Sequence, residues 1–269
     1  MDSRELIKAG KLSDARKQLV EEVKSSPADM GRRTMLFQAH SLLGEWDRAE
    51  RQLDVIAAQD PDRDTGVQVY KNLLSAEKER LEAYNNDRRP SFMPEPPPYL
   101  EMYYAARNKL VENRIEEAKE LFDKIDAQIP DISGTVNGKN FAGFRDTDIF
   151  VSLFLEAIVH ERYILIPFEK IRELSISRPK TFSDLIWISA NITTWEGLTL
   201  NCFLPVLYFD SFKHGDDRVK LGRMTDWTPL GGPFSRGVGQ RVFHVGEEDV
   251  PILEIREVIF KAPESIKDV

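Results

Sequence analysis

The fold is decided by a ten-residue stretch that occurs twice near the start of the chain: Gly10-Lys-Leu-Ser-Asp-Ala-Arg-Lys-Gln-Leu19 and, 34 residues later, Gly44-Glu-Trp-Asp-Arg-Ala-Glu-Arg-Gln-Leu53. A third version, Asn113-Arg-Ile-Glu-Glu-Ala-Lys-Glu-Leu-Phe122, lies further along. Each copy is followed at the same distance by a proline, at positions 27, 61 and 130. A fixed period of this length indicates stacked helical hairpins.

Each shared position has a physical role in a pair of neighbouring helices. Glycine or asparagine tolerates the left-handed backbone of the turn between them. The small alanine lets the helices approach closely, and the apolar residue one turn later lies on the same face. Proline ends the second helix because it cannot donate the helical hydrogen bond. The pattern therefore predicts tetratricopeptide-like hairpins, which bind segments of other proteins and seldom carry out chemistry.

Amphipathic periodicity extends this helical region through residues 1–130, which we expect to form an N-terminal tetratricopeptide-like α-solenoid domain. Predicted helices cover residues 3–9, 12–25, 30–43, 46–58, 64–86, 97–112 and 115–128. The proline-rich segment 89–98 is either a disordered linker between domains or a structured connection inside the helical domain. We favour the structured connection because the third repeat needs neighbours to bury its apolar face.

The second half, residues 131–269, carries apolar runs rich in β-branched and aromatic residues, separated by turn signals. These runs cover residues 149–159, 163–167, 185–194, 198–204 and 250–260. Residues 130–148 and 210–240 resemble irregular loops. Short strands joined by tight turns predict a small antiparallel β barrel or sandwich. The predicted fold class is therefore α+β and multidomain, with the α-solenoid first and the β module second.

Composition narrows the classes of partner. The chain has 269 residues and a net charge of −8, with 41% hydrophobic and 30% charged residues. Both halves are mildly acidic and lack a basic block, which argues against nucleic acid or an anionic membrane as the main partner. No apolar run approaches the roughly 20 residues of a membrane helix, and the first residues lack the apolar core of a signal peptide. A lone cysteine, Cys202, suits a reducing compartment.

Motifs that carry chemistry are weak in this sequence. His40, His160, His214 and His244 have no partner at metal-ligand spacing, so we expect no metal site, and His40 is expected to pack inside a repeat. The glycine-rich stretch 231–239 lacks the lysine and following helix of a phosphate loop and reads as a structured turn. We therefore expect no cofactor and no catalytic residue.

Several charged or aromatic side chains leave two interpretations open. Asp146 and Asp148 could bind a divalent cation. We favour instead a role in anchoring the loop before the first strand. Buried ion pairs with Arg178 or Arg223 would also fit these two carboxylates. Glu156 interrupts an apolar strand, so it is either buried and paired or marks a sheet edge. The tryptophans at positions 187, 195 and 227 are expected to pack in the core or between domains.

In the repeat frame, the first helix of each hairpin lines the concave surface, where a partner helix or peptide would bind. A solvated face without a ligand is the alternative. The candidate partner-binding residues on this surface are Thr34, Gln38, Ser41 and Leu42 in the second copy, Gln68 and Asn72 in helix 64–86, and Tyr103, Arg107 and Leu110 in the third copy.

An ordered set of segments in the second half resembles the ImpE family, also called TagJ or SciE, of bacterial type VI secretion accessory proteins. One departure is Ile164, where the family pattern leads us to expect a second aromatic residue after Tyr163. The matching segments are Phe144–Asp148, Leu155–Glu156, Arg162–Tyr163, Ile166–Glu169, Arg178–Pro179, Asp184–Trp187, Leu204–Pro205, Tyr208, Leu221–Trp227, Gly237–Arg241 and Leu253–Glu254.

The resemblance implies a cytoplasmic, non-enzymatic adaptor. It also implies a partner, the N-terminal helix of the small sheath subunit of the secretion apparatus, and possible help to the ATPase that recycles the contracted sheath. The repeats alone favour only a binder of a helix or peptide. A general tetratricopeptide co-chaperone or regulatory scaffold is therefore the alternative, and an enzyme housed in the β module is a third interpretation.

Overall fold

The computed structural model describes residues 1–85 and 88–262, with helices in the first half of the chain and sheets in the second. The helices of the first half are α1 (Ser3–Lys8), α2 (Leu12–Ser25), α3 (Met30–Leu42), α4 (Trp46–Gln59), α5 (Asp64–Tyr84), α6 (Leu100–Val111) and α7 (Ile115–Asp126). They match the predicted helices to within three residues at each end. Residue 86, the predicted end of helix 64–86, lies outside the described residues. Within the described ranges, no helix is both long and apolar enough to cross a membrane.

The turns inside the predicted repeats have the backbone that their sequence predicts. Gly10, Gly44 and Asn113 have φ angles of 76°, 68° and 58°, in the left-handed region that favours glycine and asparagine. The alanine five residues later is completely buried in all three copies. The small side chain therefore lies where neighbouring helices meet.

The second half contains most of the strands and one short helix, α8 (Asp217–Lys220). The strands are β1 (Ser91–Phe92), β2 (Ser133–Val136), β3 (Lys139–Ala142), β4 (Phe144–Asp146), β5 (Phe154–Val159), β6 (Arg162–Pro167), β7 (Ile171–Ile176), β8 (Trp187–Thr194), β9 (Thr199–Pro205), β10 (Thr225–Gly231), β11 (Phe234–Gly239), β12 (Val242–Val245), β13 (Glu248–Pro251) and β14 (Glu257–Phe260).

These strands form one large sheet and two small ones. The large sheet has nine strands in the order β1-β6-β5-β9-β8-β7-β14-β2-β3, and a three-stranded sheet has the order β13-β12-β4. Strands β10 and β11 pair only with each other in the described residues. Among the described strands, all pairings are antiparallel except that of β1 with β6, so the large sheet is mixed. We expected a small antiparallel barrel or sandwich, but in the described residues no pairing joins the edge strands β1 and β3.

Two segments that we expected to be irregular contain regular structure, so that prediction was wrong. Residues 130–148 form β2, β3 and β4, and residues 210–240 contain α8 and the β10–β11 hairpin. Strand β10 is mostly exposed, and β3 buries only Phe141. Such strands lack the continuous apolar run on which the prediction depended, because long-range pairing rather than local composition holds them in place.

The hydrophobic core has two parts, which share strand β5. Leu155 and Ala157 face a core enclosed by strands, whereas Phe154 and Ile158 face the helices. Successive side chains of a strand point to opposite faces. Both faces of β5 are buried because the helices cover its outer side, which explains the almost continuous apolar run from Phe154 to Val159.

The proline-rich segment is a structured connection, as we favoured, but it attaches to the sheet. Ser91 and Phe92 form β1, which pairs with Ile164 and Leu165 of β6. The backbone N–H of Met93 also donates to the carbonyl of Leu165 at 3.1 Å. A strand from the first half of the chain therefore extends the sheet of the second half.

Candidate functional site

The surface that the repeats were expected to offer to a partner is covered by the chain's own second half. Helices α3, α5 and α6 pack on the outer side of β5, β6 and β8, and we call this contact the helix–sheet interface. Tyr103 is 1% exposed, and its ring meets Phe154 edge-on with 5.0 Å between ring centroids. Arg107 and Leu110, one and two turns further along α6, are also buried.

The second repeat copy shows the same inward orientation. The Gln38 amide donates to the Ser183 hydroxyl at 2.8 Å, and both side chains are buried. Ser41 donates to the carbonyl of Phe37 within its own helix, and Leu42 is 2% exposed. The apolar outer face of the sheet needs a cover, and α3, α5 and α6 supply it.

Three of the nine candidate residues keep contact with solvent. Gln68 is exposed and donates through its amide to Asn72, which is half-buried, at 2.8 Å. Thr34 is half-buried and donates to the carbonyl of Met30. The expected exposure was therefore wrong for Gln38, Ser41, Leu42, Tyr103, Arg107 and Leu110. A partner-binding role stays a prediction for the whole set.

A buried ionic network joins the two halves of the chain at Glu156. Arg80 of α5 donates to both carboxylate oxygens of Glu156, at 2.8 and 3.0 Å, and the Tyr163 hydroxyl donates at 2.6 Å. Arg241 also pairs with Glu156. None of these side chains is more than a few per cent exposed. Of the two interpretations of Glu156, the buried and paired one is therefore confirmed.

Glu77, one turn before Arg80 on α5, extends this network to β8. Its carboxylate accepts from the indole N–H of Trp187 at 2.9 Å and from Arg80 at 3.3 Å. Arg80 also donates to the carbonyl of Leu207 at 3.0 Å. Breaking such a buried, charge-assisted set leaves an uncompensated charge, so the network fixes how α5 sits on the sheet.

Asp146 and Asp148 are also buried and paired, but with partners different from those we considered. Asp146 accepts from Arg241 at 2.6 Å and from the Tyr208 hydroxyl at 2.9 Å. Burial raises the pKa of its carboxyl to about 6, although Arg241 acts in the opposite direction. Asp148 lies 3.5 Å from Nε of Arg236.

The two arginines that we considered as partners lie elsewhere. Arg178 is exposed, and Arg223 donates to the carbonyls of Ile7 and Lys8 at the end of α1. Asp148 instead accepts from the backbone N–H groups of Phe150 and Gly237. These contacts favour the anchoring role of the Asp-Thr-Asp stretch. In the described residues, no group of three or more His, Cys, Asp or Glu side chains could hold a metal ion.

The second half of the chain also contacts the turns of the helix pairs. At Gly44, a β-carbon would lie 2.6 Å from the ring of Phe212, and at Gly10 it would lie 3.0 Å from Arg218. Gly231, in the β10–β11 turn, lies against Ile115 at the start of α7. The segment between β9 and β11 therefore follows the row of repeat turns.

The remaining predicted residues divide between the core and the surface. His40 is buried and bonds to Glu45, and burial lowers its pKa. Burial raises the pKa of the Cys202 thiol to about 12. Trp187 is a core residue as expected, whereas Trp227 is 40% exposed. The glycine-rich stretch 231–239 forms the turn and second strand of the β10–β11 hairpin, in agreement with a structured turn.

Sequence reasoning missed Arg80, Arg241 and Glu77, which complete the buried network. Glu77 and Arg80 lie in the charged end of α5, which resembles a solvated helix face. The signal that could have found them is Glu156, because a carboxylate within a buried strand needs a cationic partner.

Comparisons with known proteins agree with this architecture. The family described as ImpE protein matches residues 138–259. The type VI secretion system accessory component TagJ of Pseudomonas aeruginosa is 32% identical over 261 residues, which cover 97% of this chain and 92% of the relative. The crystal structure of VPA1032 from Vibrio parahaemolyticus has the same fold, with a TM-score of 0.85 and 21% identity over 98% of this chain and 99% of the other. Because the match to TagJ extends along nearly the whole of both chains, this chain belongs to the ImpE family.

Proposed function

We propose that this protein is a cytoplasmic, non-enzymatic adaptor of bacterial type VI secretion. We further propose that it binds the N-terminal helix of the small sheath subunit and thereby assists the ATPase that recycles the sheath. The observation that carries the proposal is the similarity to TagJ, a type VI secretion accessory component, over 97% of the chain. That alignment covers nearly the whole chain, so it includes both the helices of the first half and the strands of the second.

The accessible part of the predicted face is the best place for a partner helix. Gln68 and Asn72 lie one turn apart on α5, and Val69 beside them is 39% exposed. Thr34 lies on α3, which belongs to the same row of helices facing the sheet. Exposed apolar and amide side chains on one helix face suit an amphipathic helix, because the apolar contact gives affinity and the amides fix the register.

The test is calorimetric titration of the protein with a synthetic peptide that copies the N-terminal helix of the small sheath subunit from the same organism. Replacing Gln68 and Asn72 with alanine should weaken binding by about tenfold, which corresponds to about 1.4 kcal/mol. Gln18→Ala, at an exposed position of α2, is the matched control and should bind like wild type. Failure of the wild-type protein to bind the peptide would contradict the sheath-subunit assignment.

A further inference from the structure

We propose that the groove between the β2–β3 and β12–β13 hairpins binds an extended, basic segment of a partner protein, which adds to the outer edge of β3 as a further strand. This inference goes beyond the proposed function, because the groove lies away from the helix face that we assign to the sheath subunit. That face is on α5, which contacts β6, whereas β3 is the last strand at the opposite edge of the large sheet. The two sites can therefore be tested separately.

The groove is an open cavity of about 610 Å³ between the two hairpins. This volume is within the usual range of ligand pockets, roughly 300–1,000 Å³. Val136, Phe141 and Val245 line the groove and are 6–8% exposed, so its deepest part is apolar. The alkyl stems of lysine and arginine cover apolar surface of this kind while their charged ends reach polar groups nearby.

Acidic side chains dominate the wall of the groove that residues 247–254 form. All four are exposed, so a ligand can reach them without a change in the fold: Glu247, Glu248, Asp249 and Glu254. Asp249 bonds to His244, whereas the three glutamates make no ion pair or side-chain hydrogen bond with a described residue. Lys139 is the single cation among the described residues that line the groove. This imbalance favours a cationic ligand, and the net charge of −8 attracts such a ligand at long range.

The outer edge of β3 offers unpaired backbone groups in the same groove. Asn137 and Gly138 have φ angles of 50° and 81°, as in the two-residue turns that close on a hydrogen-bonded pair, here Val136 with Lys139. Such pairs alternate along antiparallel strands, so the N–H and C=O groups of Asn140 point away from β2. In the described part of the chain no other strand pairs with this edge. An extended segment can therefore add to it as a strand.

A peptide accounts for both features, whereas a metal ion or a small polyamine accounts for neither or only one. Among the described residues, no group of three or more His, Cys, Asp or Glu side chains could hold a metal ion, so these carboxylates do not converge on one point. A polyamine would use the carboxylates but not the backbone edge at Asn140. Because successive side chains of a strand point to opposite faces, we expect lysine or arginine at every second position of the bound segment.

The test is calorimetric titration of the full chain at low salt with the end-blocked heptapeptide Lys-Thr-Lys-Thr-Lys-Thr-Lys. Wild type should bind this peptide, and the double variant Glu248→Gln/Glu254→Gln should bind it at least tenfold more weakly. The matched control is Glu116→Gln/Glu120→Gln, which removes two exposed carboxylates from α7 and should leave the affinity unchanged. Asn140→Pro removes the backbone N–H at the edge and should also weaken binding at least tenfold, whereas Asn140→Ala should bind like wild type.

A heptapeptide methylated at every backbone nitrogen gives a readout that does not depend on the folding of a variant. It keeps all its charges but cannot donate to β3, so its affinity for wild type should be at least tenfold lower. Equal affinity of the unmethylated peptide for wild type and Glu248→Gln/Glu254→Gln would overturn the site, and so would no binding to wild type. Equal affinity of the methylated and unmethylated peptides would overturn the added strand. None of these results bears on the sheath-subunit peptide, whose binding is measured with the α5 variants.

Discussion

Replacing Gly44 with alanine should reveal how firmly the second half of the chain is docked on the repeat turns. Gly44 has a φ of 68°, and a β-carbon there would lie 2.6 Å from Cδ2 and 2.7 Å from Cγ of Phe212. Contacts this short do not occur between real atoms, and Cγ is at the root of the ring, so the side chain cannot avoid the new methyl group by a small rotation. The ring must retreat by about 1 Å to reach ordinary contact distance.

Two costs add up in this substitution. Alanine in the left-handed conformation costs about 1 kcal/mol relative to glycine. Retreat of the Phe212 ring loosens its edge-on contacts with Trp46 and Phe209, whose ring centroids lie 6.0 and 6.3 Å away. Each aromatic pair contributes about 0.5–1.5 kcal/mol. We therefore expect Gly44→Ala to lower the free energy of unfolding by about 2–3 kcal/mol.

Urea unfolding followed by tryptophan fluorescence measures this change, and Gly197→Ala is the matched control. Gly197 also has a positive φ, of 85°, but a β-carbon there meets nothing within 4 Å. The control should show the backbone cost alone, about 1 kcal/mol. In the background of Phe212→Ala, Gly44→Ala should cost no more than the control. Equal costs for Gly44→Ala and Gly197→Ala in the wild-type background would refute the docking of Phe212 on this turn.

Three further predictions follow from buried side chains. Tyr103→Ala should lower the free energy of unfolding by about 3 kcal/mol in urea titrations because it leaves a cavity at the helix–sheet interface; an unchanged midpoint would mean that the tyrosine is exposed as the repeat frame suggested. Ala49→Glu should lower the melting temperature strongly because it buries an unpaired charge at a position that is 0% exposed; a wild-type melting curve would contradict the repeat frame. Since burial raises the pKa of Asp146 to about 6, its contribution to stability should be complete below pH ~4 and be lost as pH rises through 6, by up to ~3 kcal/mol. The difference between wild type and Asp146→Asn in urea titrations from pH 4 to 7 should show this loss, and a constant difference would contradict it.

Local signals in the sequence were sufficient to predict the helical half. The left-handed turns at Gly10, Gly44 and Asn113 and the close packing at Ala15 and Ala49 depend on residue type and on neighbours a few positions away. Helices made in this way are recognisable from a single sequence because their hydrogen bonds are local. The apolar runs that became β5 and β6 were also clear, since both faces of these two strands are buried.

The parts that sequence reasoning missed depend on contacts between residues far apart in the chain. Strand β10 is largely exposed and contains Pro229, so nothing local distinguishes it from a loop. Arg80 and Glu156 are 76 residues apart, and Arg241 is further away still, so their pairing follows only from the tertiary structure. Charged residues in helix α5 resemble a solvated face until the sheet that covers them is known.

The exposure of the candidate site was also mispredicted because it depends on contacts between residues far apart in the chain, and this error bears on function. A solenoid by itself would leave its inner face free, and the repeat frame therefore assigned Tyr103 and Arg107 to a partner. In this chain the sheet occupies that face, and the Tyr103 ring packs edge-on against the ring of Phe154. Arg107 makes no ion pair or side-chain hydrogen bond with a described residue, and its guanidinium carbon lies 4.5 Å from the ring centroid of Phe150. Covering the inner face thus removes most of the surface that the repeat frame assigned to a partner, and Thr34, Gln68 and Asn72 remain its accessible part.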